Sequence, residues 1–379
     1  MKLRPAGRPG AQARRAAGDS AKNIPSNAIA VTGNITAVNE GSKGYFSLTP
    51  TRPSGTPSTS TLNFPAGDIR ANAVTAPLGS DGKLWVTFIG AAGKKADVIF
   101  DVTGYFVPNT SGATYVPLTP NRLVDSRAGT RLGLAASLTS GTPASFKVTG
   151  RNRDASQNVP AGAIAVTGNL TAVGEGSRGY FSLTPTRPTG TPSTSTLNFP
   201  KGDVRANSVT VPLGSSGVLW VTFVVTAGAK ADVVFDVTGY FVAGTSGATY
   251  VPLIPSRLVD SRSSTHLGIP TSLTSGTPAG CGVTSVSADP TRNVPPDAIA
   301  ITGNLTAVNE SSKGYLSLTP TRPAGVPSTS TVNFPAGDIR ANAVTVTLGL
   351  DGRLWVTFVG TAGMRADVVL DVTGYFTMG

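Results

Sequence analysis

The sequence predicts an all-β protein made of three tandem antiparallel β-sandwich or jelly-roll-like repeats of about 135 residues, the first N-terminally truncated. Three observations carry this. First, Gly (45) and Pro (29) fill nearly a fifth of the 379 residues, while only 13% are charged and Glu40, Glu175 and Glu310 are the only glutamates. Good helix formers are therefore scarce, and Val, Thr and Ser dominate. Second, an 84-residue block occurs three times without a gap, at 23–106, 158–241 and 293–376, offset by 135 residues each time. Third, apolar residues alternate with period two, the spacing of half-buried strands.

The second block shows the elements in order. "AIAVTGNL" places Ile164, Val166 and Leu170 on one face. "GYFSL" turns Phe181 and Leu183 inward, "STLNF" Leu197 and Phe199, and "SVTVPL" Val209, Val211 and Leu213. "LWVTFVV" gives Leu219, Val221, Phe223 and Val225 with Trp220 opposite, and "ADVVFDVTGYF" gives Val233, Phe235 and Val237 with Asp232 and Asp236 opposite. "GSSG", written "GSDG" and "GLDG" in the other copies, predicts a hairpin between the fourth and fifth strands. No helix is predicted.

The 51-residue spacers 107–157 and 242–292 resemble each other, each carrying "GATYVPL", then "RLVDSR", then "SLTSGTPA". A full unit thus opens in RLVDSR and closes in DVTGYF. RLVDSR occurs twice and DVTGYF three times, so the first unit has its closing block only. The expected organisation is a basic, disordered arm over 1–22, an incomplete first repeat over 23–108, a second over 109–243 and a third over 244–379. Repeats this long can hold their own cores, so they are expected as beads joined by linkers such as "VPNTSGA". The first repeat's incomplete sheet is expected to favour self-association through its uncovered edge.

Charge and reactive residues exclude several functions. The net charge is +11, of which residues 1–22 carry +5 through Lys2, Arg4, Arg8, Arg14, Arg15 and Lys22 against Asp19. A mild positive field favours anionic polymers, a wall polymer or nucleic acid, and by itself identifies neither; no specific nucleic-acid binding is expected. Deleting 1–22 is expected to remove most retention on a cation-exchange column. One cysteine, Cys281, and one histidine, His266, leave no intramolecular disulfide and no four-ligand Cys/His zinc site. No cofactor, metal or catalytic residue is expected, since both residues lack a counterpart in the other copies. No transmembrane span and no signal peptide are visible. The Arg-, Ala- and Gly-rich opening reads as a truncated or misplaced start.

The candidate ligand-binding residues recur with the repeat. Trp85, Trp220 and Trp355 face away from the apolar stripe and could stack sugars, as could Tyr45, Tyr180 and Tyr315. Arg52, Arg187 and Arg322 stand in exposed loops. Asp125 with Arg127, and Asp260 with Arg262, form carboxylate–guanidinium pairs at a domain seam, with a structural role weighed against a binding one. In "GDIRAN" and "GDVRAN" the Asp is expected to cap a turn and the Arg to pair locally. Asp97/Asp101, Asp232/Asp236 and Asp367/Asp371, about 13 Å apart along a strand, are expected on a solvated face and are too far apart for a catalytic dyad. Asn34, Asn169 and Asn304 head N-x-T sequons.

Units opening in RLVDSR and closing in DVTGYF resemble an extracellular repeat of secreted, wall-associated proteins of high-GC Gram-positive bacteria and Chloroflexota. The resemblance covers about 23–379. It implies secretion or a cell-surface location, and it implies no catalytic residues. The expected function is a non-catalytic surface or cell-wall-associated spacer or adhesion module. The alternatives are a carbohydrate-binding module for wall glycan, or a secreted hydrolase with an unrecognised site.

Overall fold

The computed structural model describes residues 11–12, 24–109, 112–151, 157–225 and 227–378. Most of the basic arm therefore lies outside the described residues. The first unit contains β1 (Ala11–Gln12), β2 (Ala30–Val38), β3 (Gly44–Thr49), β4 (Leu62–Phe64), β5 (Arg70–Pro77), β6 (Trp85–Gly90) and β7 (Asp97–Phe106). The second contains β8 (Ala113–Asp125), β9 (Leu138–Thr139), β10 (Ala144–Lys147), β11 (Ala163–Val173), β12 (Gly179–Thr184), β13 (Leu197–Phe199), β14 (Arg205–Pro212), β15 (Val218–Val224) and β16 (Lys230–Ala243). The third repeats it as β17 (Thr249–Asp260), β18 (Leu273–Thr274), β19 (Ala279–Gly282), β20 (Ala298–Val308), β21 (Gly314–Thr319), β22 (Val332–Phe334), β23 (Arg340–Thr347), β24 (Arg353–Gly360) and β25 (Arg365–Thr377). No helix occurs among the described residues.

Each unit contributes two antiparallel sheets. In the second unit they run β14-β11-β16-β8 and β10-β15-β12-β13, and in the third β23-β20-β25-β17 and β19-β24-β21-β22. In the first they run β5-β2-β7 and β1-β6-β3-β4. The six small sheets are arranged as the blades of a six-bladed β-propeller, with β5, β14 and β23 meeting one another at its centre. This corrects the expectation of three tandem sandwiches on linkers. Each unit does have its own apolar layer between its two blades, as in Phe181, Leu197, Phe223, Val233 and Phe235. A core of its own does not make a unit independent, because the inner edges carry polar groups that only the next unit satisfies.

The chain crosses between the two blades of a unit several times, and this overturns the predicted hairpin. The turn at Gly214–Gly217 is tight: Gly217 has φ 67° and donates its N–H to the Gly214 carbonyl at 2.7 Å. Yet β14 and β15 belong to different blades, so the turn carries the chain from one blade to the next. A left-handed glycine specifies a reversal of direction and leaves open which strand becomes the partner. The inward faces otherwise follow the period-two pattern, except at Ile164, which is 48% exposed beside a bulge at Ala163/Ala165.

The aromatic residue that ends each DVTGYF packs at one end of the propeller axis. Phe106, Phe241 and Phe376 form a near-equilateral triangle with ring centroids 6.1, 6.0 and 6.3 Å apart. Tyr115 packs on Phe241 of its own unit and Phe376 of the next, and Tyr250 on Phe376 and Phe106. The units are thereby joined through a shared apolar cluster.

Candidate functional site

The inner strands bring three arginines and three aspartates into a closed ring. Arg70 pairs with Asp68 at 3.0 Å and with Asp338 of the third unit at 3.0 Å. Arg205 pairs with Asp203 at 3.0 Å and Asp68 at 2.9 Å, and Arg340 with Asp338 at 2.8 Å and Asp203 at 2.9 Å. Cations and anions alternate around the axis with equal numbers, and the arginine side chains are only 3–4% exposed. Burial pushes the Asp338 carboxyl up, but the flanking Arg70 and Arg340 guanidiniums outweigh it and hold it below the ordinary range. Each Arg thus pairs locally, as expected, and also with the next unit.

Asparagines close a second ring below it. Asn72, Asn207 and Asn342 each donate at 2.8 Å to the side-chain oxygen of Asn304, Asn34 and Asn169 of another unit. The sequon asparagines are therefore buried inter-unit contacts, with no exposed amide to carry a glycan.

The two signatures turn out to be halves of one ion-pair cluster. Arg122 of RLVDSR donates to Asp236 of DVTGYF at 2.9 Å, and Arg257 to Asp371 at 2.9 Å. The second nitrogen of each guanidinium reaches a carbonyl of the following unit, Ser328 at 2.9 Å and Ser58 at 2.8 Å. Asp236 and Asp371 are 1% and 2% exposed, which corrects the reading of a solvated acid face. Period two put these carboxylates opposite the core, but the facing blade covers that side too.

Asp125 is fully buried and accepts from Arg127 Nε at 2.9 Å and from Thr130 at 2.7 Å. Burial raises its carboxyl, but these bonds prevail and hold it down at about 2. Asp260 and Arg262 repeat the arrangement at 2.8 Å. The Asp125–Arg127 and Asp260–Arg262 pairs thus hold a turn together. Arg127 remains 40% exposed and borders, with Arg122, Lys313 and Tyr315, a groove of about 640 Å³ between the second and third units.

The structure brings the predicted Trp and Arg residues together. The Arg52 guanidinium lies 5.7 Å from the Trp85 ring centroid, Arg187 5.7 Å from Trp220, and Arg322 5.6 Å from Trp355. Each Trp is half-buried on an outer blade strand and each Arg is exposed, in all three units. A guanidinium held on an indole is pre-oriented with its N–H edge free for an oxyanion. Tyr45, Tyr180 and Tyr315 instead donate to the carbonyls of Pro57, Pro192 and Pro327 and so brace their own loops.

Sequence reasoning missed the three glutamates. Glu40, Glu175 and Glu310 are 4%, 2% and 3% exposed, and among the described residues no side chain donates a hydrogen bond to their carboxylates. Burial pushes each up to about 7. The preceding residue is left-handed in every unit, Asn39 at φ 56°, Gly174 at 64° and Asn309 at 55°. One glutamate per repeat at one register, after a residue tolerant of positive φ, was the available signal.

His266 is exposed and left-handed at φ 48°, and Cys281 is buried with its thiol pushed up to about 11. Such a thiol stays protonated at neutral pH and is a poor nucleophile. Among the described residues, no three His, Cys, Asp or Glu side chains are grouped so as to hold a metal ion.

No protein-family profile matches the chain, and no curated protein matches it. Solved structures similar to it include one titled "The Triple Jelly Roll Fold and Turret Assembly in an Archaeal Virus", at 9% identity over 92% of this chain and 80% of that one, TM-score 0.17. Another, "Life in the extremes: atomic structure of Sulfolobus Turreted Icosahedral Virus", has 10% identity over the same shares, TM-score 0.17. A third, "Structure of PNGF-II in P21 space group", has 9% identity over 92% and 99%, TM-score 0.19. Scores this low carry neither fold nor function across.

Proposed function

We propose that the protein is a non-catalytic, surface- or wall-associated adhesion module that binds an anionic cell-wall glycan through three equivalent sites. The observation that carries this reading is the exposed arginine held on a half-buried tryptophan, repeated in every unit as Arg52/Trp85, Arg187/Trp220 and Arg322/Trp355. Unlike the recurring Asp–Arg pairs of the axis and the turns, these guanidiniums have no carboxylate partner among the described residues. The indole holds the guanidinium in place, and the guanidinium supplies a fork for the glycan's carboxylate or phosphate.

Three sites on one chain bind a polymer with avidity that exceeds single-site affinity by roughly 10²–10⁴. Retention on insoluble peptidoglycan is therefore expected to exceed that on uncharged chitin and cellulose. It should fall at least tenfold in Arg187→Ala and vanish in the triple variant Trp85→Ala/Trp220→Ala/Trp355→Ala. Retention of the triple variant at the wild-type level in a pull-down would leave only the spacer reading.

A further inference from the structure

A second cation stands beside every Arg–Trp pair. Leu84, Leu219 and Leu354, the residues just before the three indoles, are buried, so the residue two before each indole shares its outer face. That residue is Lys83 in the first unit and Arg353 in the third. In the second unit it is Val218, and the neighbouring strand supplies the cation instead. Lys147 of β10 stands directly opposite Val218, and Ser145 opposite Trp220. Ser145 and Lys147 are exposed while Phe146 between them is buried, so Lys147 shares the outer face too. In the third unit the place of Lys147 is held by Gly282, opposite Arg353. The cation thus keeps its place, about 7 Å along the blade from the Trp, although two different strands provide it.

These cations are weakly committed. Lys147 donates to the carbonyl of Ser216, a neutral partner. Asp351 accepts the backbone N–H of Arg353 at 3.2 Å, and no carboxylate pairs with the Arg353 guanidinium among the described residues. Lys83 pairs with Asp81 at 2.6 Å, but the two side chains are 43% and 51% exposed, and a surface pair of this kind holds little energy. Ser216 occupies the place of Asp81 and Asp351, so the second unit sets two cations, Arg187 and Lys147, against no acid in its turn. The indoles already carry a guanidinium, which leaves charge rather than ring stacking as the basis of recognition.

We propose that each Arg–Trp pair is half of a two-cation site, completed by Lys83, Lys147 or Arg353, that takes successive anionic groups of one linear polymer charged on every repeat. This rests on the Arg–Trp reading above and narrows its ligand. The arginine, pre-oriented on the indole, forks one phosphate or carboxylate. The second cation, one strand interval away, meets the next along the same chain. An isolated anion reaches only one of the two, so the site selects the polymer over its monomer. The second unit, with no acid in its turn, binds most tightly.

The probe is a glycerol phosphate tetramer, titrated into the full chain carrying Trp85→Phe and Trp355→Phe, so that Trp220 is the sole indole reporter. A saturable change in its fluorescence is expected, at an affinity at least about tenfold above that of monomeric glycerol phosphate, because the second contact is intramolecular. Lys147→Ala should bring the tetramer down to the monomer's affinity. Lys201→Ala, which removes the same charge from the exposed turn after β13, should change it by less than about twofold. Tetragalacturonate, run alongside, distinguishes carboxylate from phosphate as the preferred anion. Equal affinity for tetramer and monomer, equal losses in Lys147→Ala and Lys201→Ala, or tighter binding of tetrathymidylate than of either tetramer would overturn the two-cation site. A Trp220 signal unmoved by any of these ligands would sink the Arg187–Trp220 reading itself, and this site with it.

Discussion

Replacing Arg205 by alanine is expected to destabilise the whole molecule by about 3–5 kcal/mol, the cost of leaving buried charges without their partner. The guanidinium is 3% exposed and bonds Asp203 and Asp68, together with the carbonyls of Asn198 at 3.2 Å and Ile69 at 3.4 Å. Its loss makes a neutral ring of three cations and three anions net negative in a place water barely reaches. The effect cannot stay within the second unit. Asp68 belongs to the first unit, and Asp203 is also held by Arg340 of the third. Independent beads would unfold in separate steps, with one step lowered. A ring closed through its axis should instead unfold in one calorimetric transition, shifted as a whole. A variant whose scan shows one unit melting early beside two unaffected ones would contradict the closed arrangement.

The ring also shows where sequence reading stops. Asp68 and Arg70 stand two apart, which suggests a local pair, and Arg70 Nε does bond Asp68 at 3.0 Å. The other end of the same guanidinium bonds Asp338, 268 positions away, and nothing in a six-residue motif marks that. The period-two pattern located the strands and their inward faces, because burial of alternate residues is written into the sequence. It could not tell that the opposite faces are covered too, so Asp236 and Asp371 read as solvated. The link between RLVDSR and DVTGYF was visible as shared bookends of a repeat, and its physical basis, Arg122 on Asp236, needed the register of β8 against β16. Trp and Arg of the candidate site were each readable as exposed recurring residues. Their pairing across 33 positions was not, since it depends on how the loop after β12 folds over β15.

Substituting the three buried glutamates is expected to stabilise the protein, and only above acidic pH. A carboxyl pushed from the ordinary 4.5 to about 7 holds its proton more tightly in the folded chain than in the unfolded one. Between those values the folded state binds more protons, so stability falls as pH rises from 4.5 to 7 and then levels off. The shift corresponds to roughly 3 kcal/mol per site. This is an unfavourable contribution present at pH 8 and absent below pH 4.5, opposite in sign to Asp125, whose depressed value stabilises above about pH 4 and is lost as pH falls through 2. Glutamine keeps the shape and removes the charge. Glu40→Gln/Glu175→Gln/Glu310→Gln should therefore raise Tm by roughly 10 °C or more at pH 8 and change it little at pH 4.5, and each single variant should give about a third of the gain. The three sites sit in separate units, so their effects should add. A triple variant equally stabilised at both pH values would show that the glutamates titrate alike in the folded and the unfolded chain. A destabilised one at pH 8 would show that their negative charge is used, with Arg70, Arg205 and Arg340 among the cations that act on them.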